Sequence, residues 1–313
     1  MKYWVGVTDN HWFNFLANQG FDEANFWQPS IKPPFTNSPV GMPFLFKLKR
    51  PYNHIAGGGF YVGFSTLPIS LAWDCFGPKN GAASLEELQE MLEPLFSKHS
   101  QHDEIGCTVL SNTVFLPEPF WISDPPGWSS NIVRGKMYES ADPDGKAIWT
   151  QIQERLKFSE SEPESSVDGS VLGIKEPPSK KYGEPVLVKP RLGQSSFRVL
   201  VTDAYKRKCA ITGESTLIAL EAAHIVPYSK DGSHDVSNGL LLRADFHRLF
   251  DVGLVSVTPE LKVRVSPRIR EAWFNGKAYY RLDNQPLEVL PERPALQPDR
   301  DRLEWHYKTL FQA

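Results

Sequence analysis

The residues in this chain that could do chemistry gather between Leu217 and Val257, in the stretch LIALEAAHIVPYSKDGSHDVSNGLLLRADFHRLFDVGLVSV. His224 ends a short apolar run and a polar, glycine-containing loop follows. Asn238 closes that loop, and a second apolar run through Leu240 to Leu242 leads into a helical pattern that carries His247. An imidazole titrates near neutrality, so it can take a proton from water or ligate a metal. A carboxamide both donates and accepts, which suits holding a loop in place. Glu221 and Asp245 add carboxylate oxygens of the kind a hard divalent cation prefers. Together such side chains could move a proton at neutral pH and hold a hard cation.

Read as His, Asn and His on a strand–loop–strand–helix pattern, with spacings of 14 (His224 to Asn238) and 23 (His224 to His247), the stretch resembles the HNH nuclease motif. That motif is a ββα finger that holds one catalytic divalent metal. The resemblance implies that His224 is the general base, that Asn238 pins the loop behind it and that His247 is a metal ligand. Many members place Asp, Glu or His immediately before the base, whereas this chain has Ala223 there. Glu221 shares the strand face of Ala223, because side chains alternate along a strand. Either Glu221 or Asp245 therefore completes the ligand set, and Mg²⁺ or Mn²⁺ suits one imidazole, a carboxylate and waters. Lys230, Arg243 and Arg248 flank the motif as phosphate contacts or as solvated surface charges.

The elements around this motif divide the chain into three parts. Residues 1–158 read as an aromatic-rich α/β unit with strands at Tyr3–Val7, Phe44–Lys49, Phe60–Phe64, Gly106–Leu110 and Thr113–Leu116. Asp9 or Asn10 can cap a helix over His11–Ala17. Ser84 with Glu87 forms a capping box, Pro94 ends the helix that follows, and Asp144–Phe158 is helical. Gly57, Gly58 and Gly59 lack the GK[ST] of a phosphate cradle and suggest a bulge or a close backbone crossing. The opening MKYWVGVTDNHW, FWQPS at Phe26–Ser30 and GKMYE resemble EVE-type members of the PUA superfamily, small pseudo-barrels of which some receive a flipped modified base. The expected class is α+β, a PUA/EVE-like pseudo-barrel with flanking helices joined to a ββα-metal domain. Asn25, Trp27, Gln28 and Trp73 are the base-pocket candidates, since an extruded base needs aromatic faces and amides. Trp121 and Trp128 are further aromatics to inspect, and Lys47, Lys49 and Arg50 could add a phosphate contact.

Residues 159–190 read as an acidic, proline-rich linker, a solvated tether or a segment that competes with DNA for the nuclease surface. Residues 191–313 form the nuclease domain. It opens with a helix whose Phe197, Leu200, Val201 and Tyr205 share a face, and its later elements are strands near Gly253–Val257 and Lys262–Val265 and helices over Ile269–Phe274 and Arg300–Phe311. The net charge is −3, so any hold on DNA must come from local basic patches. Cys75, Cys107 and Cys209 form no CxxC pair, no apolar run is long enough to span a bilayer, and a bacterial cytoplasmic protein is expected. The two resemblances imply a modification-dependent restriction endonuclease acting on double-stranded DNA with 5-methyl- or 5-hydroxymethylcytosine, paired as a homodimer if both strands are cut. The alternatives are a reader of sequence, phosphorothioate or RNA, and a DNA-binding protein whose nuclease motif is dead, with Ala223 as the symptom.

Overall fold

The computed structural model describes residues 1–96, 104–124, 128–129, 131–159, 193–230 and 232–313, so the linker assigned to 159–190 lies almost wholly outside the described residues. In chain order the first elements are β1 (Lys2–Thr8), α1 (Asn10–Gln19), β2 (Glu23–Gln28), β3 (Pro43–Leu48) and β4 (His54–Pro68). Then come α2 (Ile69–Phe76), α3 (Leu85–Leu92), β5 (Glu104–Phe115), β6 (Ile122–Ser123), β7 (Gly135–Glu139) and α4 (Pro143–Ser159). The rest of the chain carries α5 (Gln194–Ala204), β8 (Leu220–His224), β9 (Gly239–Arg243), α6 (Ala244–Asp251), β10 (Val255–Val257) and β11 (Val263–Val265). It ends with α7 (Arg268–Trp273), α8 (Lys277–Tyr280) and α9 (Arg300–Thr309). The class is α+β. Among the described residues no helix is long and apolar enough to cross a membrane.

The chain forms two compact units that interleave in sequence: 1–21, 34–61 and 112–190 in one, 22–33, 62–111 and 191–313 in the other. In the first unit β1 runs parallel to β3 and antiparallel to β7, and β3 pairs antiparallel with β4. Asp9, not Asn10, caps α1, accepting from His11 N at 3.0 Å and Trp12 N at 3.3 Å. Every residue of β3 is buried, so the strand is covered on both faces where its sequence alternation suggested one. The glycine triplet lies inside β4 and permits a close crossing: a Cβ on Gly57 would stand 2.3 Å from Val114 O, and one on Gly58 2.7 Å from Phe44 O. Tyr3, Val5, Leu45, Ile55, Ile148 and Ile152 form the core there.

In the second unit β2 pairs antiparallel with β5, one continuous strand where the sequence suggested two. Ser84 Oγ accepts from Glu87 N at 3.2 Å, and α3 stops at Leu92 before a turn containing Pro94. Antiparallel pairs β8–β9 and β10–β11, with α5, α6 and α9, enclose one apolar core that includes Phe197, Tyr205, Leu240, Phe246, Phe250 and Leu303. The apolar face assigned to α5 is the buried one, with Phe197, Val201 and Tyr205 all inside. Residue 239 has to be glycine, since a Cβ there would meet Val201 at 2.5 Å and Phe197 at 3.0 Å. That closeness seats β9 directly on α5.

Candidate active site

β8, the loop after it, β9 and α6 bring His224, Asn238 and His247 into one region. His224 pairs with Gly239 across the two-stranded ladder, at the point where the chain leaves β8. Asn238 is fully buried. Its Oδ1 accepts from Val226 N at 2.9 Å, and its Nδ2 donates to Val226 O at 2.9 Å and Ser233 O at 2.8 Å. One amide thus ties both ends of the loop beyond His224, and the Ile225 N bond to Asn238 O at 2.8 Å adds a backbone tie.

Two aromatic faces clamp a pair of imidazoles. The His224 ring stacks on Phe197 with 3.9 Å between centroids and 11° between planes. Its Nε2 lies 3.1 Å from Nδ1 of His234, whose own ring stacks on Tyr228 at 4.7 Å and 13°. Burial pushes the His224 pKa down to about 4, with His234 and then His247 adding to the effect. His224 is therefore neutral at physiological pH, the state in which it can accept a proton.

His247 sits between two carboxylates, its Nδ1 2.7 Å from Glu221 Oε2 and its Nε2 3.3 Å from Asp251 Oδ2. Burial raises the Asp251 pKa; His247 opposes that rise and Glu221 reinforces it. Among the described residues no Lys or Arg lies within ion-pair distance of Glu221 or Asp251, and no group of three His, Cys, Asp or Glu is already spaced to hold an ion. The donor types nevertheless suit a divalent cation, with a carboxylate on either side of one imidazole. Glu221, His247 and Asp251 are the residues that would hold it.

Asp245 is placed otherwise. Arg243 grips it with two bonds, Nε to Oδ1 at 3.0 Å and Nη2 to Oδ2 at 2.6 Å, and Tyr279 Oη stands 3.4 Å from Oδ2. Burial acts to raise its pKa, but the Arg243 bonds outweigh burial and hold it below the usual carboxylate value. The structure does not bring Asp245 together with His247 and Glu221, and Arg243 is committed to it. Lys230 and Arg248 are exposed.

Of the base-pocket candidates, Asn25 is fully buried and donates to Asn80 Oδ1 at 2.9 Å and Cys107 Sγ at 3.3 Å. Trp27 Nε1 donates to Asn80 O at 2.8 Å, and Gln28 Nε2 donates to Ser30 O and Lys32 O. These groups knit β2 to its surroundings, and Trp73 packs partly buried against the core beside α2. Trp121 Nε1 donates to Leu116 O at 2.8 Å. Lys47 is buried and bonded to Asp124 at 3.0 Å, with its ammonium 5.2 Å over Trp128; Lys49 pairs with Asp9 at 3.0 Å. His234, Asp251 and Phe197 carry site contacts that sequence reasoning did not assign. Of these, Asp251 was visible as the residue one helical turn beyond His247.

Residues 209–258, which contain the strand–strand–helix unit, match the protein family described as HNH endonuclease. Among solved structures, ASCH from Zymomonas mobilis is similar with a TM-score of 0.34 and 10% identity, covering 47% of this chain and 94% of that one. The modification dependent TagI restriction endonuclease is similar with a TM-score of 0.29 and 16% identity, covering 92% of this chain and 75% of that one. No curated protein matches the chain.

Proposed function

We propose that this chain is a divalent-metal-dependent DNA endonuclease that acts on DNA carrying 5-methyl- or 5-hydroxymethylcytosine, with a reader in residues 1–158, a linker over 159–190 and the nuclease in 191–313. The carrying observation is the pairing of a neutral, clamped His224 with the Glu221–His247–Asp251 cluster on an HNH domain. With Nε2 turned to His234, and no hydrogen bond to Nδ1 among the described residues, Nδ1 of His224 is the nitrogen that takes a proton from the attacking water. Asn238 keeps the loop, and with it the imidazole, in register. The metal, Mg²⁺ or Mn²⁺, supplies Lewis-acid stabilisation of charge at the phosphate. An HNH finger grips backbone more than bases, so selection falls to the aromatic-rich N-terminal region. One apolar hollow there is walled by the Gly57–Gly59 backbone, Phe60, Trp149 and Asn112. One finger cuts one strand, so double-strand cleavage requires two copies of the chain.

The test is digestion of one plasmid in unmodified, methylated and hydroxymethylated forms, with Mg²⁺, Mn²⁺ or chelator, beside His224→Ala. Metal-dependent cutting confined to a modified form, and lost in the variant, is the expected result. Equal cutting of all three forms removes the modified-base reading. Cutting that survives His224→Ala removes the assignment of the base.

A further inference from the structure

The surface formed by α7, α8 and the turn between them is built unlike the rest of the nuclease region. Trp273 is 62% exposed and Phe274 91% exposed, at adjacent positions. Phe274 takes φ +55° as the residue that ends α7, a left-handed conformation that a bulky side chain adopts at a cost. Gly276, two residues on, takes φ +118° as glycine readily can, whereas at position 274 an aromatic holds a left-handed conformation. Backbone strain is thus spent on holding an apolar ring out in water. Around that ring, Arg270, Lys277 and Arg281 line an open hollow together with Phe274, Asn275 and Tyr280. The Arg270 guanidinium stacks 4.7 Å over the Tyr280 ring, which fixes its direction. Glu271 is the nearby acid on α7.

This surface is tied to the active site. Tyr279, on α8, meets Phe246 edge-on at 5.3 Å and 85°, and its hydroxyl approaches Asp245 at 3.4 Å. Phe246 and Asp245 lie on the first turn of α6, directly before His247. A ligand held on α7–α8 is therefore held by an element packed on the helix that carries His247.

We propose that α7–α8 is a second contact with duplex DNA, in which Arg270, Lys277 and Arg281 take backbone phosphates and Phe274, backed by Trp273, wedges against a base step. The proposal rests on the reading of the chain as a DNA enzyme. Charge complementarity selects the partner, since three cations ringing exposed aromatics match a polyanion with stackable bases rather than a second copy of this net-acidic chain. An overall charge of −3 makes such a local patch necessary for DNA to be held at all.

The test uses the full chain in chelator, so that binding is read without cleavage, on a duplex with 2-aminopurine at successive steps. Lys277→Ala/Arg281→Ala should weaken binding about tenfold at moderate salt and lower the slope of log affinity against log salt by about 2. Phe274→Ala should leave that slope unchanged, weaken binding several-fold and abolish the rise in 2-aminopurine fluorescence. It removes an exposed ring, so its melting temperature should match the parent. Parental affinity, slope and fluorescence in both variants would overturn the proposal, as would no binding of DNA by the parent. A change in self-association with DNA binding intact would also overturn it and assign the surface to a second copy. If the parent fails to cut but these variants still lose binding, the nuclease reading falls and the surface stands.

Discussion

The ring of Phe197, on the first helix of the nuclease region, lies flat against the imidazole of His224 at 3.9 Å. A helix residue thereby sets the plane of the proposed base, while the bond to His234 engages the edge of the same ring. Phe197→Leu keeps an apolar filler and should lower stability by about 1–2 kcal/mol. Misorientation of the imidazole should lower cleavage by about ten- to a hundredfold with metal binding unchanged. Plasmid nicking beside a thermal melt decides it; parental cleavage by the variant would show that the stack is packing alone.

The ligand assignment separates three carboxylates on or beside α6. Glu221→Gln and Asp251→Asn should each raise the metal concentration needed for half-maximal cleavage by at least about tenfold, because each removes an anionic oxygen from a hard-cation site. Asp245→Asn should leave metal dependence unchanged and act through Arg243, at about 1 kcal/mol of stability. Metal titrations of the three variants check the split, and a metal defect confined to Asp245→Asn would reverse it.

Glu23 is 1% exposed and closes the N-terminus of α5 from β2. It accepts from Gly193 N at 3.0 Å, from Ser196 N at 3.2 Å and from Ser196 Oγ, and it pairs with Lys79 at 2.8 Å. Burial would raise its pKa, but Lys79 and Ser196 hold it below the ordinary value. Its stabilisation is thus present above pH 4.5 and is lost as pH falls through the lowered pKa. Glu23→Ala should cost about 2 kcal/mol at pH 7 by removing the partner of a half-buried ammonium and of two amides. Denaturant titration at neutral pH measures it, and a change under about 0.5 kcal/mol would show that the cap is dispensable.

His306 gives the opposite pH behaviour. It is 1% exposed, with Nδ1 2.9 Å from Ser256 Oγ, Nε2 3.1 Å from Phe250 O and its ring stacked on Phe250 at 3.7 Å. Burial lowers its pKa to about 4 against the partial opposition of the Phe250 carbonyl. The folded state binds fewer protons than the unfolded, so stability is complete above about pH 6.5 and falls as pH drops toward 4, by about 3 kcal/mol in all. His306→Gln should flatten this slope. Denaturation midpoints at pH 7 and pH 4.5 for both chains check it.

The strand–strand–helix unit was legible in the sequence because every constraint on it is local. An apolar run, a loop closed by Asn238 and a helical period fix His224 and His247 within one short stretch, and Asp9 and Ser84 marked helix starts by capping chemistry alone. What stayed hidden depends on distance in sequence. The helical period puts Phe197 on a shared face with Leu200, Val201 and Tyr205, but does not encode which ring it meets. Asp245 has the right type beside the motif, yet Arg243, two residues earlier, takes it. Asn25 and Trp27 have the chemistry of a base reader and spend it on Asn80, more than fifty positions away.

The carboxylate of Glu23 also limits how this protein can be rebuilt. Exchanging residues 1–158 for a foreign reader, with the cut made in the acidic stretch, would carry away the side chain that caps the start of α5, and Lys79 with it. A transplant that keeps α5 capped has to retain Glu23 and Lys79 alongside residues 191–313.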